Sequence, residues 1–271
     1  MSFIKLKDGT RLWYEEKGEG TPIVFLHGWL GSSWHFRNQM DYFSKAFRVF
    51  VLDHKGHGKS DRPEDAAYTI SDFAKDLDQV LDQLIGNEKV VLAGHSMGGM
   101  IALTYATNPK FRKRLKGLIL LSTAAKFENP GLDEFVVLIR KGEMTIVDRG
   151  LVESILISIA FNAKYVETHE DIITEFIEEV MKNAEFVAFK TAICIVDSYN
   201  LEDQLSEIDV PTLILTGGED AFIFPEESEV LHHKIKNSEL KMFSPNIGHM
   251  IQFEAVDECN KTIENFLKKL Q

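Results

Sequence analysis

Short apolar runs alternate with amphipathic stretches along most of the 271-residue chain. The segments 3–7 and 11–16 flank Asp8-Gly9 and predict a β-hairpin. Further mainly apolar runs predict buried strands at 23–26, 49–52, 89–93, 118–121, 211–215 and 240–243. Because strands of this kind alternate with helical patterns, the sequence predicts an α/β fold. We expect a mostly parallel eight-stranded sheet that is flanked by helices.

Amphipathic helices are indicated between the strands and near the end of the chain. Residues 34–46 predict one helix, and a final helix is predicted from about residue 256. Ser71 is predicted to cap another helix, because apolar side chains follow it at three- and four-residue spacing. These side chains are Phe73, Leu77, Val80, Leu81 and Leu84.

The interval from about residue 126 to 206 breaks this alternation. It contains no convincing strand and several helical patterns, such as the one formed by Ile172, Phe176 and Val180. We expect an inserted helical cap that covers the functional site and shapes a substrate pocket. The predicted division is a core of residues 1–125 and 207–271 with a cap of residues 126–206. The alternative is that these helices extend the main core.

A glycine-rich motif, Gly94-His95-Ser96-Met97-Gly98-Gly99, lies between a predicted strand and a predicted helix. A serine on such a sharp strand-to-helix turn needs small neighbours, because a side chain at Gly94 or Gly98 would clash. The turn exposes the Ser96 hydroxyl and directs the backbone N–H of Met97 towards an oxyanion formed there. We predict Ser96 as a nucleophile. The alternative is a glycine-rich turn with an incidental serine.

A serine nucleophile needs a base and an acid that orients the base. Asp220 follows the predicted strand 211–215, and His249 follows the strand 240–243, so both would lie at strand ends that face Ser96. We predict Asp220 as the acid and His249 as the base. Glu219 is the competing candidate for the acid.

The second oxyanion donor is expected in the loop after the strand 23–26. Gly28 allows this loop to turn close to the nucleophile, so we assign the backbone N–H groups of Trp29 and Met97 to an oxyanion hole. The Trp29 side chain would form a wall of the pocket.

Other features of the sequence limit the possible cofactors and ligands. We interpret His95 as structural, and we expect His27, His54 and His57 to shape the site. No histidine pair has the spacing of a metal site, so we predict neither a metal ion nor a cofactor. The cysteines, Cys194 and Cys259, are too few for a disulfide framework.

The net charge of −12 argues against nucleic acid or an anionic membrane as the main partner. One basic cluster is interpreted as a solvated loop, with an anion-binding patch as the alternative; it comprises Lys110, Arg112, Lys113, Arg114 and Lys116. The first eight residues lack the apolar stretch of a secretory signal, and no apolar run approaches the roughly 18 residues of a membrane span. We expect a cytoplasmic protein.

Together these motifs resemble those of the α/β-hydrolase superfamily, and the resemblance covers essentially the whole chain. His27-Gly28-Trp29 is similar to the single-glycine oxyanion loop, residues 218–225 to the acid loop, and Gly248-His249 to the histidine loop. Residues 53–60 resemble a further turn of the family, with Lys55 where arginine is usual. This departure leaves the catalytic assignment unchanged.

The resemblance implies acyl transfer, in which Ser96 attacks a carbonyl and water releases the acid from an acyl-enzyme. We expect a carboxylic-ester hydrolase with a small-molecule ester of small to medium acyl length as its substrate. A serine at the turn argues against the family's dehalogenases and epoxide hydrolases, which use aspartate there. Other activities implied by the family stay open: a perhydrolase or cofactor-free haloperoxidase, a carbon–carbon bond hydrolase, or a non-catalytic small-ligand receptor.

Overall fold

The apolar runs form a single eight-stranded sheet in the computed structural model, which describes residues 2–143 and 149–271. The strands are β1 Ser2–Lys5, β2 Arg11–Lys17, β3 Pro22–Leu26, β4 Arg48–Leu52, β5 Val90–His95, β6 Leu115–Leu121, β7 Thr212–Thr216 and β8 Ser238–Met242. Their order in the sheet is β1-β2-β4-β3-β5-β6-β7-β8. The pairs β1–β2 and β2–β4 are antiparallel, and the remaining pairs are parallel. The predicted mostly parallel, eight-stranded sheet is confirmed.

Helices cover both faces of this sheet. They are α1 Arg37–Phe43, α2 Ile70–Leu84, α3 Met97–Thr107, α4 Pro130–Lys141, α5 Arg149–Ala160, α6 Ala163–Thr168, α7 Glu170–Val180, α8 Glu185–Ser198, α9 Pro225–Lys234, α10 Ile251–Glu254 and α11 Val256–Lys269. In β3, Val24 and Leu26 pack with residues of α2 and α3, whereas Ile23 and Phe25 pack with residues of α1 and α11. Because alternate side chains of a strand point to opposite faces, a strand covered on both sides is apolar throughout.

Two local predictions need correction. The cap of α2 is Thr69, whose Oγ1 accepts a hydrogen bond from the Asp72 N–H at 3.1 Å, so the assignment of the cap to Ser71 was wrong. Helix α2 begins at Ile70, which places Ser71 inside its first turn. The helix predicted at 34–46 is a short 3₁₀ helix, Ser33–Phe36, followed by the shorter α1.

The described residues between β6 and β7 form helices α4 to α8 and a 3₁₀ helix, Glu202–Glu207. A helical insertion is therefore present in the fold, although residues 144–148 of the predicted cap lie outside the described residues. Buried residues of α7 and the end of α5 pack in a separate cluster with Leu30, Met250 and Phe253 of the core. Helix α4 and most of the buried side chains of α8 instead pack with the main core, so part of the insertion extends that core. The boundaries at 125/126 and 206/207 stay predictions.

Two arginines of the basic cluster lie close to acidic side chains. Arg112 lies 3.9 Å from Glu207 and 3.4 Å from Asp209, and Arg114 forms an ion pair with Asp82. These acidic partners fit a solvated, charge-paired loop better than an anion-binding patch. No helix in the described parts of the chain has both the length and the apolar character needed to cross a membrane.

Candidate active site

Ser96 lies at the turn between β5 and α3, with φ at +55° and ψ at −122°. A non-glycine residue in this region costs about 1–3 kcal/mol, so its surroundings must hold it in place. The Ser96 N–H donates to the carbonyl of Leu121 at 2.9 Å, and Thr123 Oγ1 donates to the carbonyl of Ser96 at 2.8 Å. These bonds fix both sides of the strained residue against the end of β6.

The glycines on either side of Ser96 allow close backbone packing. A Cβ atom at Gly94 would collide with the carbonyl of Gly98, and one at Gly98 would collide with the carbonyl of Leu26. The clashes expected from the sequence are therefore present in the structure. They explain why a strand, a sharp turn and a helix fit together only with glycine at both positions.

His249 and Asp220 are hydrogen-bonded to each other at the carboxyl ends of β8 and β7. The distance between His249 Nδ1 and Asp220 Oδ2 is 2.8 Å, and both side chains are buried. The other carboxylate oxygen of Asp220 accepts the N–H groups of Phe222 and Ile223, each at 2.9 Å. The carboxylate is therefore fully positioned by its own loop, and it holds His249 in the tautomer with the proton on Nδ1.

Glu219, the competing acid, has a different partner. Its Oε2 accepts a hydrogen bond from Asn162 Nδ2 at 2.7 Å. Asp220, and not Glu219, is therefore the carboxylate that contacts the histidine.

Ser96 and His249 line one cavity of about 40 Å³, together with Gly28 and Trp29. The indole Nε1 of Trp29 donates to the carbonyl of Ala188 in α8 at 3.1 Å, so this side chain forms a wall that is attached to the helical insertion. The other lining residues are Leu30, His35, His95, Leu156, Ile159, Ala160, Phe176, Val180, Phe222 and Met250. The structure therefore brings the predicted nucleophile, base and oxyanion loop to one place.

The two predicted oxyanion donors lie on segments that approach each other closely. A Cβ atom at Gly28 would lie 3.1 Å from Ser96 Cβ, so the loop that carries Trp29 passes directly beside the nucleophile. Met97 is the first residue of α3, where backbone N–H groups have no acceptor within the helix. The roles of these two N–H groups stay a prediction.

A buried group of histidines lies beneath the predicted oxyanion loop. His27 Nδ1 is 2.8 Å from the carbonyl of Gly28, and His27 Nε2 is 3.0 Å from the N–H of His54. Only the neutral ring with its proton on Nδ1 satisfies both contacts. Burial lowers the pKa of His27 to about 4 and that of His57 to about 3. Within the described residues, no three His, Cys, Asp or Glu side chains are arranged to hold a metal ion.

Glu254, at the end of α10, has no role predicted from the sequence. Its carboxylate accepts the N–H of Gly248 at 3.1 Å and the N–H of Asn162 at 3.0 Å, so it connects the loop of His249 to the helical insertion. Burial raises the pKa of this carboxyl. No motif marks the residue, because its partners are a neighbouring turn and a segment about 90 positions away.

A second, larger cleft of about 360 Å³ lies outside this site. Trp13, Trp34, Arg37, Asp53 and Lys59 are among the residues that line it, whereas Ser96 and His249 are not. We place the functional site at the smaller cavity, because it is lined by the strained Ser96 and by His249, whose ring is hydrogen-bonded to Asp220.

Comparisons with known proteins agree with this fold. The sequence profile described as "alpha/beta hydrolase fold" matches residues 21–145, and the profile described as "PhoPQ-activated pathogenicity-related protein" matches residues 163–271. The AB hydrolase superfamily protein YisY of Bacillus subtilis is 32% identical to this chain, with 97% of this chain and 98% of the relative covered. A proline iminopeptidase of Saccharolobus solfataricus is 28% identical, with 95% and 88% covered.

The solved structures agree with the sequence comparisons. The esterase from Exiguobacterium antarcticum matches this structure with a TM-score of 0.88 and 30% identity, over 98% of this chain and 99% of its own. The thermophilic esterase from Thermogutta terrifontis matches with a TM-score of 0.87 and 28% identity, over 100% and 99%. The chain belongs to the α/β-hydrolase superfamily.

Proposed function

We propose that this protein is a serine carboxylic-ester hydrolase that acts on small to medium acyl esters. The observation that carries the proposal is the buried 2.8 Å hydrogen bond between His249 and Asp220, with Ser96 lining the same cavity as His249. A serine hydroxyl is a weak nucleophile at neutral pH unless a positioned base takes its proton. Esterases are also among the similar solved structures.

In the proposed mechanism, Ser96 Oγ attacks the ester carbonyl carbon while His249 takes the hydroxyl proton at Nε2, the ring nitrogen not bonded to Asp220. The carbonyl oxygen becomes an oxyanion that accepts the N–H groups of Trp29 and Met97. Each such donor typically lowers the barrier by about 3 kcal/mol. The carbon–oxygen bond to the alcohol then breaks, and His249 gives its proton to the departing oxygen.

The second half of the proposed reaction releases the acid. Water attacks the acyl-enzyme while His249 again accepts a proton at Nε2, and the bond between the acyl carbon and Ser96 Oγ breaks. The proton returns from His249 to Ser96 Oγ. Asp220 stabilises the histidinium in both halves without itself taking the proton.

The lining of the cavity favours an ester over a peptide with a free amino terminus. A bound charged amine needs a carboxylate partner, because leaving it unpaired in a buried site is costly. In the described parts of the chain the cavity lining is mainly apolar and includes no aspartate or glutamate. This composition supports an uncharged acyl group, although a proline iminopeptidase is among the relatives.

The test compares the native protein and Ser96→Ala on p-nitrophenyl esters from acetate to palmitate, with a fluorophosphonate probe to label the nucleophile. We expect labelling at Ser96 and serine-dependent hydrolysis with a maximum at a short acyl chain. Labelling without ester turnover would point to another acyl or carbon–carbon substrate. The absence of both would favour a ligand-binding protein and contradict the proposal.

A further inference from the structure

The turn that carries Trp29, a predicted oxyanion donor, is strained. Its four residues run from Gly28 to Gly31, and the N–H of Gly31 donates to the carbonyl of Gly28 at 3.1 Å. Leu30, at the third position, has φ at +58°. A type II turn requires a positive φ at this position, which is why glycine is usual there. A leucine in this region is strained, so contacts outside the turn must hold it.

The helical insertion supplies these contacts. Asn183, in the turn between α7 and α8, donates from Nδ2 to the carbonyl of Leu30 at 2.6 Å. The Leu30 side chain is 7% exposed and packs in the same cluster as buried side chains of α7, among them Phe176 and Val180. Both the carbonyl and the side chain of the strained residue are therefore held by a region far away in the sequence.

The same contacts fix the orientation of the Asn183 amide. Its Nδ2 also donates to the carbonyl of Val180 at 2.9 Å, so each of the two protons has a carbonyl acceptor. The opposite orientation would direct Oδ1 at these two carbonyl oxygens, and an amide oxygen has no proton to donate. Asn183 therefore acts on the turn as a hydrogen-bond donor, and its side chain is half-buried between α7 and the turn.

The direction of the Trp29 N–H depends on the shape of this turn. The turn begins beside the nucleophile, because a Cβ atom at Gly28 would lie 3.1 Å from Ser96 Cβ. If Leu30 relaxed to a negative φ, the peptide groups of the turn would rotate, and a displacement of about 1 Å in a catalytic group can slow a reaction about 100-fold. The strain and the free energy of one hydrogen bond are of similar size, so loss of the Asn183 bond is sufficient to release the turn.

We propose that Asn183 is a positioning residue for the oxyanion hole, and that its bond to the Leu30 carbonyl holds the turn in the form that directs the Trp29 N–H at the acyl oxygen. This inference rests on the proposed function and extends it to the helical insertion. The insertion then completes the oxyanion hole in addition to covering the cavity. The hole is available only while the segment between α7 and α8 contacts Leu30.

Asn183→Ala removes the donor and tests its role in steady-state kinetics. We expect kcat to fall about tenfold for acetate and butyrate esters alike, while KM changes less than about twofold, because the oxyanion exists only after the carbonyl has been attacked. If Asn183 only supported the apolar wall, its loss would instead change KM and the butyrate-to-acetate ratio.

Two further variants complete this experiment. Asn183→Asp keeps the shape of the side chain but has no donor at neutral pH, so it should show the same loss, and it serves in place of Asn183→Ala if that variant does not fold. Asn237→Ala, the same substitution at an exposed position, is the matched control and should retain the native kcat. A native kcat in either Asn183 variant would overturn the inference.

Leu30→Gly tests whether strain in the turn is the cause. Glycine adopts a positive φ readily, so the turn should keep its form without Asn183 in this background. Because Leu30 also lines the cavity, each kcat is compared only within its own background. Asn183→Ala should lower kcat about tenfold in the native background and less than about threefold in the Leu30→Gly background. An equal loss in both backgrounds would contradict the role of the strained turn.

Crystal structures of the variants separate failure of this inference from failure of the proposed function, because they require no turnover. We expect Leu30 to adopt a negative φ in Asn183→Ala and to keep its positive φ in Asn237→Ala. A positive φ at Leu30 in Asn183→Ala contradicts the inference, even where the native protein hydrolyses esters. A relaxed Leu30 in a protein that hydrolyses no ester supports the action of Asn183 on the turn and contradicts the hydrolase.

Discussion

The loops at the strand ends and the helical insertion contribute to the same cavity in different ways. Ser96, Asp220 and His249 come from the loops, and all three are buried and held by the sheet or by hydrogen bonds within their loops. The insertion contributes apolar side chains, such as the half-buried Leu156 and Ile159 of α5. In the proposed enzyme, proton transfer therefore depends on one region of the chain and the choice of acyl group mainly on the other.

The two regions are attached to each other by polar contacts. Asn183 Nδ2 donates to the carbonyl of Leu30 at 2.6 Å, and the N–H of Asn162 donates to Glu254 at 3.0 Å. These bonds fix the apolar wall relative to the nucleophile. Substitutions of Ser96, Asp220 or His249 should therefore slow the hydrolysis of all esters alike, whereas substitutions of apolar side chains in the insertion should change the ratio between esters.

The largest effect is expected at the nucleophile. Ser96→Ala should lower kcat by about 10⁴ to 10⁶ for every ester, because no other group in the proposed mechanism forms the acyl-enzyme. Steady-state kinetics on at least two acyl lengths measure this loss. Ser206→Ala, at an exposed position in the 3₁₀ helix Glu202–Glu207, is the matched control and should retain full activity. Activity that survives in Ser96→Ala would refute the mechanism.

The next largest loss of kcat is expected at Asp220, and it should distinguish this residue from the adjacent Glu219. Asp220→Asn should lower kcat by about 10³ to 10⁴, less than the loss in Ser96→Ala, because the acid orients and stabilises the histidine without attacking. Glu219→Gln should lower kcat by less than about tenfold, since Glu219 contacts Asn162 and not His249. The same kinetic assay measures both variants. An equal loss in the two variants would contradict the assignment of the acid.

The buried histidines beneath the predicted oxyanion loop should make the folded protein less stable in acid. Burial lowers the pKa of His27 to about 4, whereas an unfolded histidine titrates near 6.5, so protons bind to the unfolded chain first as the pH falls. The stability that neutral His27 contributes is complete above about pH 6.5 and is lost as the pH falls towards about 4.

Within this interval, His27 should contribute a slope of about 1.4 kcal/mol per pH unit to the free energy of unfolding. Urea unfolding of the native protein and of His27→Gln, from about pH 7 to about pH 5, measures the difference between their slopes. His232→Gln, at an exposed position, should leave the slope unchanged. Parallel curves for the native protein and His27→Gln would show that His27 does not resist protonation.

The sheet and the strand-end loops were predictable because physical constraints there act over short distances in the sequence. Strands buried on both faces are short continuous apolar runs, and the turn at Ser96 excludes side chains at Gly94 and Gly98. Asp220 and His249 were found from their positions after strands. The structure then placed the two side chains in contact.

The contacts of His35 and Glu254 could not be predicted, because they are made with residues far away in the sequence. Each is a single polar residue without a spacing pattern, and its neighbours are distant in the sequence: Phe176 for His35 and Asn162 for Glu254. Whether such a residue is paired or unpaired depends on how the insertion packs on the core. That packing depends on side-chain contacts that periodicity does not encode.

The smallest effect is expected in the insertion and tests selectivity alone. Ile159→Ala should enlarge the cavity and raise kcat/KM for a butyrate ester relative to an acetate ester, by about fourfold for each additional buried methylene. Ile155→Ala is the matched control, because Ile155 lies on the same helix but is 50% exposed. Its butyrate-to-acetate ratio should equal that of the native protein. An equal rise in both variants would mean that loosening of α5 sets the acyl preference, and an unchanged ratio in Ile159→Ala would exclude this wall from acyl selection.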